Sequence, residues 1–208
     1  MKPPNDTTSH GFAESAFPVG SHVCLIYDSE AERRWVMANF FRAGLAAGED
    51  TVYFADSGVR ETIEWLALEG VPASAEVAEG CVHVLTAEAT YYPQGYFSAE
   101  DTIGRVRSLS RDAKERGHSV LRGTGETGWV TRGIRGGEEH LEYEVRMTPM
   151  CQEYTMTALC QFDARLWEGQ ALFNMLRVHP RMMVRGQVVE NPYHLTPEEF
   201  AREHGSGS

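Results

Sequence analysis

The chain has 208 residues, of which 42% are hydrophobic and 24% charged, and this composition predicts one globular domain with a sizeable core. Its 30 acidic and 19 basic residues give a net charge of −11, and only two of the bases, Lys2 and Lys114, are lysines. Nucleic acids and anionic membranes attract clustered positive charge, so this balance argues against both as direct partners.

The cysteines are widely spaced and none belongs to a C-x-x-C pair, which favours buried free thiols in a reducing cytosol over a zinc site. They are Cys24, Cys81, Cys151 and Cys160. The sequence therefore gives no reason to expect a metal or a cofactor. No apolar run approaches the ~18 residues of a membrane helix, and the N-terminus lacks the apolar core of a signal peptide, so a cytoplasmic protein is expected.

Composition divides the chain into three segments. Residues 1–17 are polar and are expected to form a flexible arm. Residues 18–204 contain neither an internal repeat nor an interdomain linker and are expected to form a single domain. Residues 205–208, with the sequence Gly-Ser-Gly-Ser, resemble an engineered linker.

The first predicted strand, residues 22–27, is a nearly continuous apolar run, as expected of a strand buried on both faces. Ser29 follows as a helix N-cap, and Glu32 three residues later completes a capping box. The helix that begins there ends near Gly48, because glycine readily terminates helices.

The rest of the chain continues this alternation of strand and helix. Strands are predicted at residues 51–55, 81–85, 119–122 and 156–161. Helices are predicted around residues 63–68, 98–117, 138–150 and 166–178, and Ser98 is the predicted N-cap of the second of these. A turn-rich loop is predicted at residues 91–96 and a glycine-rich loop after the fourth strand. Residues 181–189 are a predicted hairpin around Gly186, and a short closing helix begins at Pro197.

Five β-α repeats with helical crossovers predict an α/β fold with a mainly parallel sheet and helices on both faces. In such a sheet, ligands bind outside the carboxyl ends of the strands. This rule selects as candidates Tyr27, Asp28, Asp56, Thr86, Tyr91, Gly125, Glu126, Gln161 and Asp163.

Phosphate-binding motifs are missing or unconvincing. Residues 123–128 match G-x-G-x-x-G, but they follow the fourth predicted strand, and Glu126 would repel a pyrophosphate. The P-loop pattern G-x-x-x-x-G-K-[ST] does not occur, and the first strand-to-helix turn carries Asp28, Glu30 and Glu32 instead. These carboxylates oppose a triphosphate and favour a neutral or cationic ligand.

Nucleophilic catalysis has no sequence support either, because no G-x-S-x-G motif occurs and nothing pairs a cysteine with a particular histidine. His179, before Pro180, fits either a ligand contact or a helix C-terminal residue stabilised by the helix dipole. His22 opens the first strand, where a structural role is favoured.

Aromatic side chains gather at the predicted strand ends and in the loops after them. They are Tyr27, Tyr91, Tyr92, Tyr96, Phe97 and Trp129. Aromatic walls with a few carboxylates and amides suit a small organic ligand. Any single ring could equally seal the top of the core, but the cluster as a whole favours a pocket.

Several short stretches, in one order along nearly the whole chain, resemble the MEDS domain, a sensory domain named for methanogens, methylotrophs and a dichloromethane-responsive regulator. The matching stretches are residues 22–28, 48–54, 86–91, 125–129, 141–144, 159–163 and 190–193. The resemblance implies a RecA/KaiC-like core without a phosphate-binding loop and a sensor of small molecules, such as hydrocarbon derivatives or one-carbon compounds. It also implies a regulatory partner, namely a histidine kinase, an anti-sigma-type factor or a DNA-binding module, or signalling through a homodimer.

The leading hypothesis is a non-enzymatic sensory domain with a small ligand over the carboxyl edge of the sheet. Tyr27, Tyr91 and Trp129 are predicted to supply apolar walls. Three polar residues are predicted to orient the ligand by hydrogen bonds, and two further residues are predicted at the rim. The orienting residues are Glu126, Gln161 and Asp163, and the rim residues are Asp28 and His179.

Two alternatives remain open on the sequence. One is a divergent nucleotide-binding or hydrolytic domain of RecA-like type, in which Glu126 or Asp163 holds Mg²⁺ or orients a water and arginines replace the missing lysine. The other is a ligand-free dimerisation or interaction module.

Overall fold

The computed structural model describes residues 7–8 and 17–204 of the chain. Most of the predicted arm and all of residues 205–208 therefore lie outside the described residues. Within the arm, β1 (Thr7–Thr8) pairs antiparallel with β2 (Phe17–Pro18) as a short two-stranded ribbon.

An eight-stranded sheet forms the centre of the molecule, in the order β10-β9-β3-β8-β7-β4-β6-β5. Every neighbouring pair is parallel except β9 and β10, which form the predicted hairpin. The strands are β3 (His22–Tyr27), β4 (Asp50–Ala55), β5 (Ala73–Ser74), β6 (Val82–Thr86), β7 (Leu121–Glu126), β8 (Met156–Asp163), β9 (Arg181–Val184) and β10 (Gln187–Glu190).

Helices cover both faces of this sheet, which confirms the predicted three-layer α/β fold. They are α1 (Glu30–Ala46), α2 (Val59–Leu68), α3 (Ala87–Tyr91), α4 (Ala99–Glu115), α5 (His140–Tyr154), α6 (Gly169–Arg177) and α7 (Pro197–His204). The predicted N-caps are present, since Ser29 Oγ accepts from the Glu32 N–H at 3.4 Å and Ser98 Oγ accepts from the Asp101 N–H at 3.3 Å. None of the described helices combines the length and apolar character needed to cross a membrane.

The sheet separates two sets of packed side chains. On one face, α1 and α2 pack on alternate residues of β3, β4 and β8, such as Leu25, Tyr53 and Leu159. On the other face, α3 to α6 pack on the intervening residues, such as Phe54 and Cys160. Because successive side chains of a strand point to opposite faces, two neighbours in sequence can belong to entirely different environments.

The glycine-rich segment differs from its prediction, because Gly123 and Gly125 lie within β7, a central strand buried along its whole length, and not in a loop. Both glycines face α4 and α5, where space is limiting. A Cβ on Gly123 would approach Met156 at 3.2 Å, and a Cβ on Gly125 would overlap the Tyr91 hydroxyl. Glycine is therefore required at residue 125 for close packing.

Replacing Gly125 by Ala is expected to destabilise the fold by about 1–3 kcal/mol, because Tyr91 must move to admit the methyl group. Gly104→Ala is the matched control, since Gly104 lies within α4 with nothing within 4 Å of its added Cβ, and alanine there should stabilise by about 0.5–1 kcal/mol. Urea denaturation followed by circular dichroism measures both changes. A G125A variant as stable as the wild type would contradict the packing role.

Candidate functional site

A cleft of about 410 Å³ opens at the carboxyl ends of β3, β4, β7 and β8, beside the first turn of α1. Five acidic residues and three arginines contribute to its lining, so its charged groups sum to about −2. The lining residues are Tyr27, Glu30, Arg33, Arg34, Asp56, Ser57, Glu61, Glu126, Gly128, Arg132, Asp163 and Leu166.

Arg33 forms the floor of this cleft and is only 4% exposed. Its Nη1 donates to Glu126 at 3.0 Å and to the Tyr53 hydroxyl oxygen at 2.5 Å. Its Nε donates to Glu30 at 2.9 Å, and its Nη2 donates to the same carboxylate. The guanidinium thus lies between two carboxylates, one from its own helix and one from β7.

Glu126 accepts hydrogen bonds from several of the groups that form this floor. Its Oε1 accepts from Arg33, from the Tyr53 hydroxyl at 2.6 Å and from Ser57 Oγ at 3.1 Å. Its Oε2 accepts from the backbone N–H groups of Asp56 and Ser57, both at 2.7 Å. Burial, followed by the Glu126 charge, raises the pKa of Tyr53 well above its ordinary value, so the phenol keeps its proton and donates.

This network lies at the start of α1, beside the strand-to-helix turn at which a P-loop would bind phosphate. A phosphate needs a cation or free backbone N–H groups, but Arg33 already serves two carboxylates. The N–H groups of Asp56 and Ser57 are likewise taken by Glu126. Carboxylates therefore already occupy Arg33 and both of these N–H groups.

The rim of the cleft is held more loosely. Arg132 forms two hydrogen bonds to Asp56, at 2.6 and 2.7 Å, and its side chain is 51% exposed. Arg165 binds Asp163 in the same way, at 2.8 and 2.6 Å, and the hydrogen bond from its side chain lowers the pKa of Asp163. In both pairs the carboxylate is only 12% exposed while the arginine is about half exposed, so the arginine is the partner that a ligand could replace.

Five of the residues selected from the sequence belong to this site. Tyr27, Asp56, Glu126 and Asp163 line the cleft. Gln161 lies beneath it, where its Oε1 accepts from Arg33 at 3.3 Å and its Nε2 donates to Thr124 at 2.9 Å. Their role in ligand binding remains a prediction.

Tyr91 and Trp129 were expected as apolar walls of the same cleft, but the structure places them on the opposite face of the sheet. Trp129 is completely buried and stacks on Tyr91 with ring centroids 5.2 Å apart, between Phe97 and Tyr143. The enclosed space beside Tyr91 holds only about 10 Å³, roughly one water molecule at most. These rings fill the core and leave no pocket for an organic ligand.

The two predicted rim residues also differ from expectation. His179 is completely buried on the face opposite the cleft, where its Nδ1–H donates to the Met175 carbonyl at 2.6 Å. Asp28 is exposed but does not line the cleft. Both follow the strand or helix ends that the sequence identified, yet the side chains project elsewhere.

Arg33 is the site residue that sequence reasoning missed. Its position on α1 carried a signal, because Arg33, Met37 and Phe40 recur at helical spacing and all three are buried on one face. An arginine within an apolar stripe requires a hydrogen-bonded acidic partner, and Glu30, three residues earlier, is one of the two carboxylates that pair with Arg33.

A larger open groove of about 540 Å³ runs between α3 and α4. Its arginine, Arg105, is used to join the two helices, since Nε donates to the Thr90 carbonyl at 2.6 Å and Nη2 donates to Thr102 at 3.0 Å. The groove lies away from the strand ends and has no converging polar groups comparable with those around Glu126.

Comparison with known proteins gives one family and one fold. The family model described as the MEthanogen/methylotroph, DcmR Sensory domain (MEDS) matches residues 21–180. A solved KaiC-like protein from the archaeon Pyrococcus horikoshii OT3 is similar in fold, with a TM-score of 0.58 and 12% identity over 83% of this chain and 75% of that chain. No curated protein matches the sequence.

Replacing Glu126 by Gln should destabilise the protein by about 3 kcal/mol, because one buried partner of Arg33 loses its charge and an amide N–H₂ faces other donors. The control is Glu64→Gln, which removes an exposed partner of Arg60 on α2 and should change stability by less than about 1 kcal/mol. Urea denaturation gives both values. Equal stability of the two variants would show that the floor network does not hold the strand ends together.

Proposed function

Since this chain belongs to the MEDS family of sensory domains, we propose that it detects a small molecule in the cleft at the carboxyl ends of β3, β4, β7 and β8. It acts by binding and not by catalysis. The observation that carries this proposal is an open cleft of about 410 Å³ above a floor whose charges are already paired. This volume is within the range of small-molecule sites, about 300–1,000 Å³.

The charge of the lining narrows the class of ligand. With five carboxylates against three arginines, the cleft favours a neutral or cationic organic molecule over an anion. A one-carbon compound or hydrocarbon derivative that carries an amine or a hydroxyl group meets this requirement. A bare hydrocarbon does not, because it would leave the charged lining groups without water or a polar partner.

The rim supplies a way for binding to change the protein. A ligand that replaces Arg132 at Asp56 acts directly beside the Asp56 and Ser57 N–H groups that bind Glu126. These two residues form the turn between β4 and α2. Ligand binding would thus reposition the start of α2 and alter a surface read by a partner.

The proposed partner is a regulatory protein: a histidine kinase, an anti-sigma-type factor or a DNA-binding module that controls transcription. A second copy of this chain is the other candidate. The net charge of −11 favours a basic contact surface on the partner.

A panel of small amines, alcohols and carboxylates, screened by thermal shift and calorimetry, should yield binders among the first two classes. Asp163→Asn should weaken the binding of a cationic hit about tenfold or more, since a hydrogen bond to a charged group contributes about 1.5–3 kcal/mol. Glu64→Gln is the matched control, because it removes an exposed carboxylate that does not line the cleft, and its Kd should equal that of the wild type.

Two results would count against this function. Unchanged affinity in both Asp56→Asn and Asp163→Asn would place the ligand elsewhere. Micromolar binding of ATP with Mg²⁺ in equilibrium dialysis would favour a divergent nucleotide-binding domain, the alternative suggested by the RecA-like core.

A further inference from the structure

Four side chains able to ligate a metal converge in the interior, on the face of the sheet opposite the cleft. His22 lies at the start of β3, Cys160 in β8, Glu144 in α5 and His179 just after α6. All four are buried, and their ligating atoms lie within 4.8 Å of one another. We propose that these residues form a tetrahedral site for a divalent transition metal of the zinc class.

Four of the six distances among the ligating atoms are close to those expected around such an ion. Metal–nitrogen bonds of about 2.0–2.1 Å and metal–sulfur bonds of about 2.3 Å place tetrahedral ligand atoms roughly 3.3–3.6 Å apart. His22 Nε2 lies 3.3 Å from Cys160 Sγ and 3.2 Å from Glu144 Oε2. Glu144 Oε2 lies 3.5 Å from both Cys160 Sγ and His179 Nε2. All six distances among the four ligating atoms are within 4.8 Å, so small shifts of these side chains would form a tetrahedron around a bound ion.

The orientation of His179 supports the same reading. Its Nδ1 is 2.6 Å from the Met175 carbonyl, and because a carbonyl only accepts, Nδ1 carries the proton. With the proton on Nδ1, Nε2 can present its lone pair to the centre of the cluster, and it has no hydrogen-bond partner among the described residues. Histidine ligands of metals are held in this way, with one ring nitrogen fixed by a protein group and the other on the ion.

Residues outside the four ligands also contact the ligand side chains or the segments that carry them. His22 Nδ1 lies 3.0 Å from Thr148 Oγ1, so its Nε2 points inward. His140 Nε2 lies 3.3 Å from the second oxygen of Glu144 but is not one of the four converging ligands. Asn191 donates to the His179 carbonyl at 2.8 Å and steadies the segment that carries this ligand.

The local charge leaves room for a cation. Among the described residues, every ion pair of Glu144 is to a histidine: His22, His140 or His179. A carboxylate whose ion-pair partners are all imidazoles is an environment that a bound divalent cation would complete.

Two imidazoles, a thiolate and a carboxylate form a ligand set typical of zinc, and four protein ligands describe a closed, structural site. On binding, the Cys160 thiol loses its proton to solvent and the resulting thiolate bonds to the metal. The ion would join β3 and β8 to α5 and to the segment after α6. It would thereby fix the helical layer that lies behind the sensory cleft.

Metal content tests the site directly. The full chain, produced in zinc-supplemented medium, should contain one zinc per chain. The demetallated protein titrated with Co²⁺ should develop intense visible bands of tetrahedral cobalt and a near-ultraviolet thiolate-to-cobalt band. Cys160→Ser should remove the near-ultraviolet band, and His179→Gln should lower cobalt affinity at least tenfold.

Cys24→Ser is the matched control. Cys24 lies opposite Cys160 in the β3–β8 register and is also buried, but it is not among the four converging ligands. This variant should keep the cobalt spectrum of the wild type.

The proposal fails if the wild-type chain neither contains metal nor gives the thiolate-to-cobalt band, or if Cys24→Ser loses that band as Cys160→Ser does. If Cys160→Ser does not fold, the wild-type cobalt spectrum still decides. Thermal melting of the wild type with a chelator is the second measurement, and an unchanged Tm together with no cobalt band overturns the site.

Discussion

The buried pair of Arg33 and Glu126 is the interaction on which the carboxyl edge of the sheet depends. It joins the first turn of α1 to the end of β7, and Glu126 also holds the backbone of Asp56 and Ser57 after β4. An arginine and a glutamate that are both nearly inaccessible are stable only when each is fully hydrogen-bonded, and here each is. In this network, carboxylates already occupy the Arg33 guanidinium and the backbone N–H groups of Asp56 and Ser57.

The sheet divides the chemistry of the protein between its two faces. Gln161 of β8 points to the charged cleft, whereas its neighbour Cys160 points to the buried histidines and Glu144. The proposed sensory cleft is open and exchangeable at its rim, while the proposed metal site is closed.

Local features were well predicted from the sequence. The strand at residues 22–27, the caps at Ser29 and Ser98 and the hairpin around Gly186 all follow from short-range patterns, and the structure confirms them. The prediction of a glycine-rich loop after residue 122 was wrong, since Gly123 and Gly125 lie within β7. The sequence does not distinguish a glycine required by a loop from one required by close packing in a strand, here of Gly125 against Tyr91. Tyr91 and Trp129 were predicted at the correct edge of the sheet but on the wrong face, because the sequence does not show to which face a side chain after a strand end turns.

The sequence by itself determined the fold class, the family resemblance and the absence of a P-loop motif. It also selected Tyr27, Asp56, Glu126, Gln161 and Asp163 at the strand ends. These depend on periodicity, capping and motif spacing, which are local properties. Only the tertiary structure decided that Arg33 completes the cleft floor and that His22, Glu144, Cys160 and His179 meet. Those four residues come from segments far apart in the chain, and their convergence depends on strand order and helix packing, which no spacing rule encodes.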